Sequence, residues 1–302
     1  MQKETKKNNL FEWTLVAVII ITTCIAVYES FMQKYSPGDS ILSFFHQYGY
    51  LKKYPAIYEP SKGIWHPVGW TGSAMMVIMM IYSVRKRIAL FESLGSLRHW
   101  LSFHMSLGIM GPILVTFHTT FKFGGIIATS FWCMIVTMVF GILGRYIYIQ
   151  IPRNLSGTEL ETNEIDKMVK YLDSELDKYL GDANITDLFK EISAADEKAK
   201  SLNLINSLIF MIRTDIANLY KITHLKKVMK TRYRLTGKTR REIVLLLKKK
   251  AAIIRQKNFL ATSHRLLHYW HVFHIPLAIV MFLIMFLHII VYYLFGAIHH
   301  KY

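Results

Sequence analysis

Five stretches of the chain are almost entirely apolar and about as long as a helix that crosses a lipid bilayer, which needs about 20 such residues. They are Leu10–Tyr28, Pro67–Tyr82, Trp100–Phe121, Ile126–Ile149 and Tyr269–Phe295. The first is too long for the core of a signal peptide, so we expect it to remain as a first span. This pattern predicts an all-α fold, a polytopic membrane helical bundle of about five transmembrane helices.

The polar segments divide the chain into three parts. Residues 1–150 hold the first four spans with an outer loop at 29–66, residues 151–263 form an insertion, and residues 264–302 hold the fifth span and an outer tail. Basic clusters at 3–7, at 85–98 and beyond 151 all fall on one side, and cytoplasmic loops of membrane proteins are rich in Lys and Arg. The N-terminus is therefore predicted in the cytoplasm and the C-terminus outside the cell (inner) membrane, with the third and fifth spans parallel.

The insertion has the composition of a water-exposed helical domain. Residues 157–197 hold twelve acidic and four basic side chains, whereas residues 221–257 hold fourteen Lys or Arg against a single Glu242. Apolar side chains recur there at helical spacing, at Ile165, Met168, Leu172, Leu176 and Leu180. This spacing predicts an amphipathic helical hairpin or small bundle in the cytoplasm.

Composition narrows the class of protein further. The chain has 302 residues, of which 52% are hydrophobic, and a formal net charge of +17. Positive charge on the cytoplasmic side of a membrane protein accounts for this excess, so we do not expect a nucleic-acid partner; the expected contact is membrane lipid. Two cysteines, Cys24 and Cys133, are too few to ligate an iron–sulfur cluster on this chain alone.

Two histidine pairs share the same spacing within predicted spans. His104 and His118 lie fourteen residues apart in the third span, and His274 and His288 lie fourteen apart in the fifth. Fourteen residues at about 100° each fall roughly 40° short of four turns, so each pair leaves one helix face, about 21 Å apart along the axis. Gly111 lies halfway along the first pair and leaves room for a flat group. Matched pairs on two parallel helices predict two stacked b-type haems, each with two imidazole ligands.

Other residues are candidates for the haem surroundings. Arg98 and Arg145 are placed to meet the propionates of an inner haem, and Lys122 those of an outer one, although ordinary positive-inside anchoring explains the two arginines as well. His271 is an alternative to His274 as the inner ligand. His66, at the outer end of the second span, could meet a propionate or a quinone head group.

The paired histidines resemble those of the membrane domain of the ferric reductase and NADPH oxidase superfamily. The resemblance covers residues 67–150 and 264–296. It implies two stacked b haems that carry electrons from the cytoplasmic to the outer side, with His104, His118, His274 and His288 as axial ligands. Family enzymes attach a cytoplasmic flavin and nicotinamide domain after a sixth span, and we find no glycine-rich dinucleotide fingerprint here. An outside electron donor is therefore expected: a flavoprotein, an iron–sulfur subunit or membrane quinol.

Together these features predict a transmembrane electron conduit within a larger oxidoreductase, a subunit that does not catalyse a reaction alone. Its expected cofactors are two haem b groups, with quinone as a further one, and its expected outer partner is a cytochrome or quinone. Two alternatives remain open. One is a quinol-oxidising or quinone-reducing membrane anchor, and the other is a non-redox scaffold or metal transporter.

Overall fold

The computed structural model describes residues 2–52, 58–88, 95–153, 159–179, 203–231 and 236–299. Its elements are α1 (Gln2–Tyr35), a 3₁₀ helix (Pro37–Asp39), α2 (Ile41–Gln47), α3 (Trp65–Met79), α4 (Ile81–Arg87), α5 (Leu97–His118), α6 (Gly125–Ile149), α7 (Thr162–Asp177), α8 (Leu204–Thr231) and α9 (Gly237–His299). Within these ranges there is no strand, only an isolated bridge between Arg153 and Glu159. The predicted all-α fold is confirmed.

Five helical segments of the described chain are long and apolar enough to cross a membrane. They are Leu10–Tyr35, Trp65–Arg87, Leu97–His118, Gly125–Ile149 and Gly237–Phe295. Each contains most or all of one predicted span, and the second is made of α3 and α4 in succession. The fifth predicted span is the last part of α9, which begins at Gly237 inside the insertion and continues to His299. The insertion and the fifth span are therefore joined without a loop.

The chain divides into two compact units. The first comprises Met1–Ile142 and Phe273–Tyr302, and the second comprises Leu143–Val272. The limits predicted from the sequence were 150/151 and 263/264. The observed limits fall inside α6 and α9, because each of these helices contributes residues to both units.

In the first unit, α3 and α5 pack closely because glycines face each other. A Cβ atom on Gly72 would lie 2.9 Å from the carbonyl oxygen of Gly111, and one on Gly111 would lie 2.8 Å from the Cγ of Met76. Both distances are too short for a real side chain. Small residues at a helix crossing let two backbones approach, which is the usual basis of helix association in membranes.

Methionine and phenylalanine side chains fill the centre of this unit. Its buried cluster consists of Met76, Phe131, Met134, Met281, Phe282 and Met285, from α3, α6 and α9. Methionine is flexible and fills irregular gaps between helices. A buried hydrogen bond of 2.9 Å from the Ser130 hydroxyl to the Met281 carbonyl also links α6 to α9. The helices α3, α6 and α9 therefore pack against one another, and Val115 of α5 packs against the same cluster.

The second unit is held by an amphipathic helix and complementary charges. Ile165, Leu172 and Leu176 form the buried side of α7, as their spacing predicts, while Leu180 lies outside the described residues. On the polar side, Lys250 pairs with Asp173 and Lys257 pairs with Asp166. Part of the basic segment at 221–257 therefore neutralises the acidic segment before it.

A partly buried polar network forms around Asp215 of α8 in the same unit. Its carboxylate accepts hydrogen bonds from Tyr146 (2.6 Å) and Gln150 (3.4 Å) and forms an ion pair with Arg255. Gln150 also accepts a hydrogen bond of 3.3 Å from Arg255. These contacts join the end of α6 to α8 and to the first part of α9.

We expect Asp215→Ala to destabilise the protein by about 3 kcal/mol, because it leaves the Arg255 guanidinium and the Tyr146 hydroxyl without their shared acceptor. Thermal unfolding in detergent measures the change. The control is Glu175→Ala, which removes an exposed ion pair with Lys178 and should cost about 0–1 kcal/mol. Equal effects of the two substitutions would contradict a structural role for the network.

Candidate functional site

Both histidines of α5 donate to backbone carbonyls of α3. The Nδ1 atom of His104 lies 2.9 Å from the Met79 carbonyl oxygen, and the Nδ1 atom of His118 lies 2.8 Å from that of Trp65. Since a carbonyl oxygen can only accept, Nδ1 carries the proton in each bond. Each neutral ring therefore keeps the lone pair on Nε2, which is the atom a metal would use.

The spacing of these bonds is the same on both helices. Trp65 and Met79 are fourteen residues apart, as are His104 and His118, and the two helices run in opposite directions. Helices of equal rise keep the same distance between the two carbonyls as between the two imidazoles. Each end of α3 thus meets one histidine of α5.

Gly69 makes room for the ring of His118. A Cβ atom at Gly69 would lie 2.5 Å from Cγ and from Nδ1 of His118, so the ring occupies the place of a side chain. The prediction of the site did not include Gly69. Its signal in the sequence was the pair Gly69 and Ser73 in an apolar span, two small residues four apart, the spacing that marks a close helix contact.

Two further histidines interact electrostatically with His118, which lies at the end of α5 near Thr119. They are His288 of α9 and His66 of α3. The His66 ring also lies 5.0 Å from that of Tyr292, measured between centroids, and its Nε2 accepts a hydrogen bond of 3.3 Å from Trp70. The electrostatic interaction at His118 involves both residues of the predicted outer pair, His118 and His288, and their pairing as ligands stays a prediction.

His104 and His274, the predicted inner pair, have different described neighbours. The His104 ring lies 5.1 Å from the ring of Tyr82. His274 is half-buried beside α6, where a Cβ on Gly141 would lie 3.9 Å from its Cε1. Its rival His271 is exposed, and its Nδ1 lies 2.9 Å from the Leu267 carbonyl oxygen of its own helix. The inner pairing and the choice between His271 and His274 stay predictions.

The space beside Gly111 is filled by protein. The Met76 side chain and the Gly72 carbonyl of α3 lie against it. The sequence suggested room for a flat group at this point of α5. In the structure, Gly111 instead allows the close contact between α3 and α5, because a side chain there would collide with α3.

The three predicted cationic residues have protein partners. Arg98 forms an exposed ion pair of 3.1 Å with Glu12 of α1, and the Arg145 guanidinium lies 5.8 Å from the centre of the Tyr148 ring. Lys122 is exposed and interacts electrostatically with Glu59. The pKa of Glu59 is lowered mainly by the hydrogen bond and charge of Lys62, and to a smaller extent by the charge of Lys122. The contact of any of them with a propionate stays a prediction.

Among the described residues, no three or more His, Cys, Asp or Glu side chains lie close enough to form a multidentate metal site. Axial ligation of haem iron uses only two imidazoles, so pairs are the relevant groups. The fold is that of an all-α polytopic bundle, in which His104, His118, His274 and His288 are half-buried. Comparison with protein-family models, with curated proteins and with solved structures found no match to the chain.

We expect Gly69→Ala to destabilise the protein by about 1–3 kcal/mol, because the added methyl group would force the His118 ring from its place. Gly108→Ala in α5 is the matched control. Its Cβ would lie 3.3 Å from the flexible end of Met79, and the gain in helix propensity, about 1 kcal/mol, offsets the contact. Thermal unfolding in detergent compares the two, and a Gly69→Ala protein as stable as Gly108→Ala would contradict the ring placement.

Proposed function

We propose that the chain is an integral membrane b-type cytochrome with two bis-histidine haems, which carries electrons across the membrane as a subunit of a larger oxidoreductase. His104 and His274 would ligate the inner haem, and His118 and His288 the outer one. The observation that carries this proposal is the pair of Nδ1 hydrogen bonds from His104 and His118 to the two ends of α3.

The donor chemistry of these residues fits haem iron. Histidines that ligate metals almost always donate their other ring nitrogen to a carbonyl or carboxylate, which fixes the tautomer and makes the ligating nitrogen more basic. His104 and His118 are held in this form, and His118 interacts electrostatically with His288, which supports their assignment to one iron. Two imidazoles fill both axial positions of a haem iron, which suits electron transfer better than oxygen binding.

When bound, haem supplies a one-electron carrier, and the chain supplies its surroundings. The carbonyls of Trp65 and Met79 orient the imidazoles. The buried methionines of α3, α6 and α9 keep water and polar groups away from the interior of the bundle. An apolar shell and hydrogen bonds to the ligands are two of the means by which a protein sets a haem potential.

The orientation and partners in this proposal follow the distribution of basic residues and the family resemblance. The N-terminus would be cytoplasmic and the C-terminus outside, in the cell (inner) membrane. A cytoplasmic flavoprotein or iron–sulfur protein would reduce the haem at His104 and His274. A cytochrome or quinone on the outer side would accept electrons from the haem at His118 and His288.

The second candidate function is a quinone-reactive membrane anchor. It is favoured by the cluster of His66, Trp70 and Tyr292 next to His118. An imidazole and a phenol in an aromatic setting can donate hydrogen bonds to the oxygens of a quinone head group. Inhibition of electron transfer by quinone analogues, lost in His66→Ala, would favour this function over a plain conduit.

Purified protein should contain about two haems per chain, and His118→Ala and His288→Ala should each lose one of them because the outer iron loses an axial ligand. Reduced-minus-oxidised spectra with haem quantitation measure this. His46→Ala, in α2, is the control and should keep both haems. A wild-type protein without haem, or full retention of both haems in His118→Ala, would refute the proposal.

The same measurement distinguishes the two candidates for the inner ligand. We expect His274→Ala to lose the second haem and His271→Ala to keep it, because His274 shares a helix face with His288 and the exposed His271 does not. The opposite result would assign the inner iron to His271 and leave the outer pair unaffected.

A further inference from the structure

A chain of buried polar side chains runs from α1 to the outer histidine. Glu29 and Gln33 of α1 are 6% and 7% exposed, and Trp65 at the start of α3 is 2% exposed. The Gln33 amide donates to one oxygen of Glu29 (2.7 Å), and the Trp65 indole donates to the Gln33 amide oxygen (2.8 Å). The Trp65 carbonyl in turn accepts from the His118 ring (2.8 Å). We call Glu29, Gln33 and Trp65 the outer relay.

The first member of the relay is itself fixed. The second carboxylate oxygen of Glu29 accepts a hydrogen bond of 2.8 Å from the backbone N–H of Ile41, the first residue of α2. Ser40 caps the same helix, its hydroxyl accepting from the backbone of Ser43 at 3.1 Å. Glu29 therefore joins α1 to α2 while it holds Gln33, and both of its oxygens are occupied.

The Trp65 indole is packed between aromatic rings, so the position of its side chain is coupled to that of its backbone carbonyl. Its ring lies 6.5 Å from that of Phe117, the residue before His118, and 5.6 Å from that of Tyr58. A shift of the indole would therefore move the start of α3 and, with it, the carbonyl that orients His118. The other side of the His118 ring is limited by Gly69.

The polar character of the relay needs an explanation beyond packing. Burying a carboxylate and an amide costs free energy even when they are hydrogen-bonded, and apolar side chains of similar size would join α1 to α3 at lower cost. Hydrogen bonds add what apolar contacts lack, a defined direction for each group. The most apolar part of α1, within Leu10–Tyr35, is exposed, so the relay is a local device at one end of this helix.

We propose that the outer relay is a positioning device for the His118 imidazole, which sets the orientation of its ring and the strength of its Nδ1 hydrogen bond. This role rests on the proposed function, in which His118 ligates the outer iron. A stronger Nδ1 bond makes the ligating nitrogen more basic and stabilises the oxidised iron. Gln33 and Glu29 thereby tune the potential of the outer haem from a helix that carries no ligand.

The test uses Gln33→Leu and Trp65→Phe in the full-length protein, with a redox titration and low-spin haem EPR. Trp65→Phe removes the indole donor and keeps the backbone carbonyl, so it remains informative where Gln33→Leu does not fold. We expect the midpoint potential and the largest g value of one haem to shift in both variants while the other haem stays unchanged. Gln47→Leu, an exposed site in α2, is the matched control and should leave both haems as in the wild type.

A pair of substitutions at Glu29 separates positioning from general stability. Glu29→Gln keeps one carbonyl oxygen, which can accept from the Gln33 amide, and should shift the g value less than Glu29→Leu, which should reproduce the shift of Gln33→Leu. Wild-type potentials and g values in both Gln33→Leu and Trp65→Phe, with His118→Ala still losing a haem, would overturn the relay alone. Absence of haem from the wild type would instead refute the proposed function.

Discussion

The close antiparallel contact between α3 and α5 is the constraint on which the rest of the site depends. Gly72 and Gly111 let the two backbones approach, and only at that separation can an imidazole on one helix reach a carbonyl on the other. In a bilayer such contacts matter more than in water, because burying apolar side chains away from lipid tails contributes little. Glycine, histidine and backbone carbonyl thus form one packing unit.

Each of the two compact units is stabilised internally by different forces, in keeping with its composition. The first relies on glycine contacts, methionine packing and a few buried hydrogen bonds. The second relies on the buried side of α7, on ion pairs such as Lys250–Asp173, and on the network around Asp215. The charge asymmetry between 157–197 and 221–257 is explained in part by this pairing.

Much of the fold could be predicted from the sequence, because span length and helical periodicity are local properties. The five apolar segments, the helical insertion and the buried side of α7 follow from residue spacing alone. The ends of the elements were harder. No glycine or proline interrupts the chain between Gly237 and Pro276, and this was the signal that the insertion continues into the fifth span as one helix.

The site was only partly predictable, since its contacts join residues distant in sequence. The fourteen-residue spacing singled out His104 and His118, which share α3 as their hydrogen-bond partner, while the pairing of His118 with His288 stays a prediction. No local pattern indicated that carbonyls of α3 would accept hydrogen bonds from both imidazoles. The same is true of Met76, which fills the space at Gly111, and of the ion pair between Glu12 and Arg98. Glu29 and Gln33 were also missed, because a polar pair at the end of a span has no meaning until its partner Trp65 is known.

The equal spacing on α3 and α5 has a mechanical consequence. Two helices bonded at both ends cannot slide by one residue without losing both imidazole bonds at once, since every residue of translation also turns a side chain by about 100°. Thermal motion of the bundle would therefore carry the two rings as a single stiff body. The distance between the two rings is therefore fixed by the length of a helix and not by the softer contacts around it.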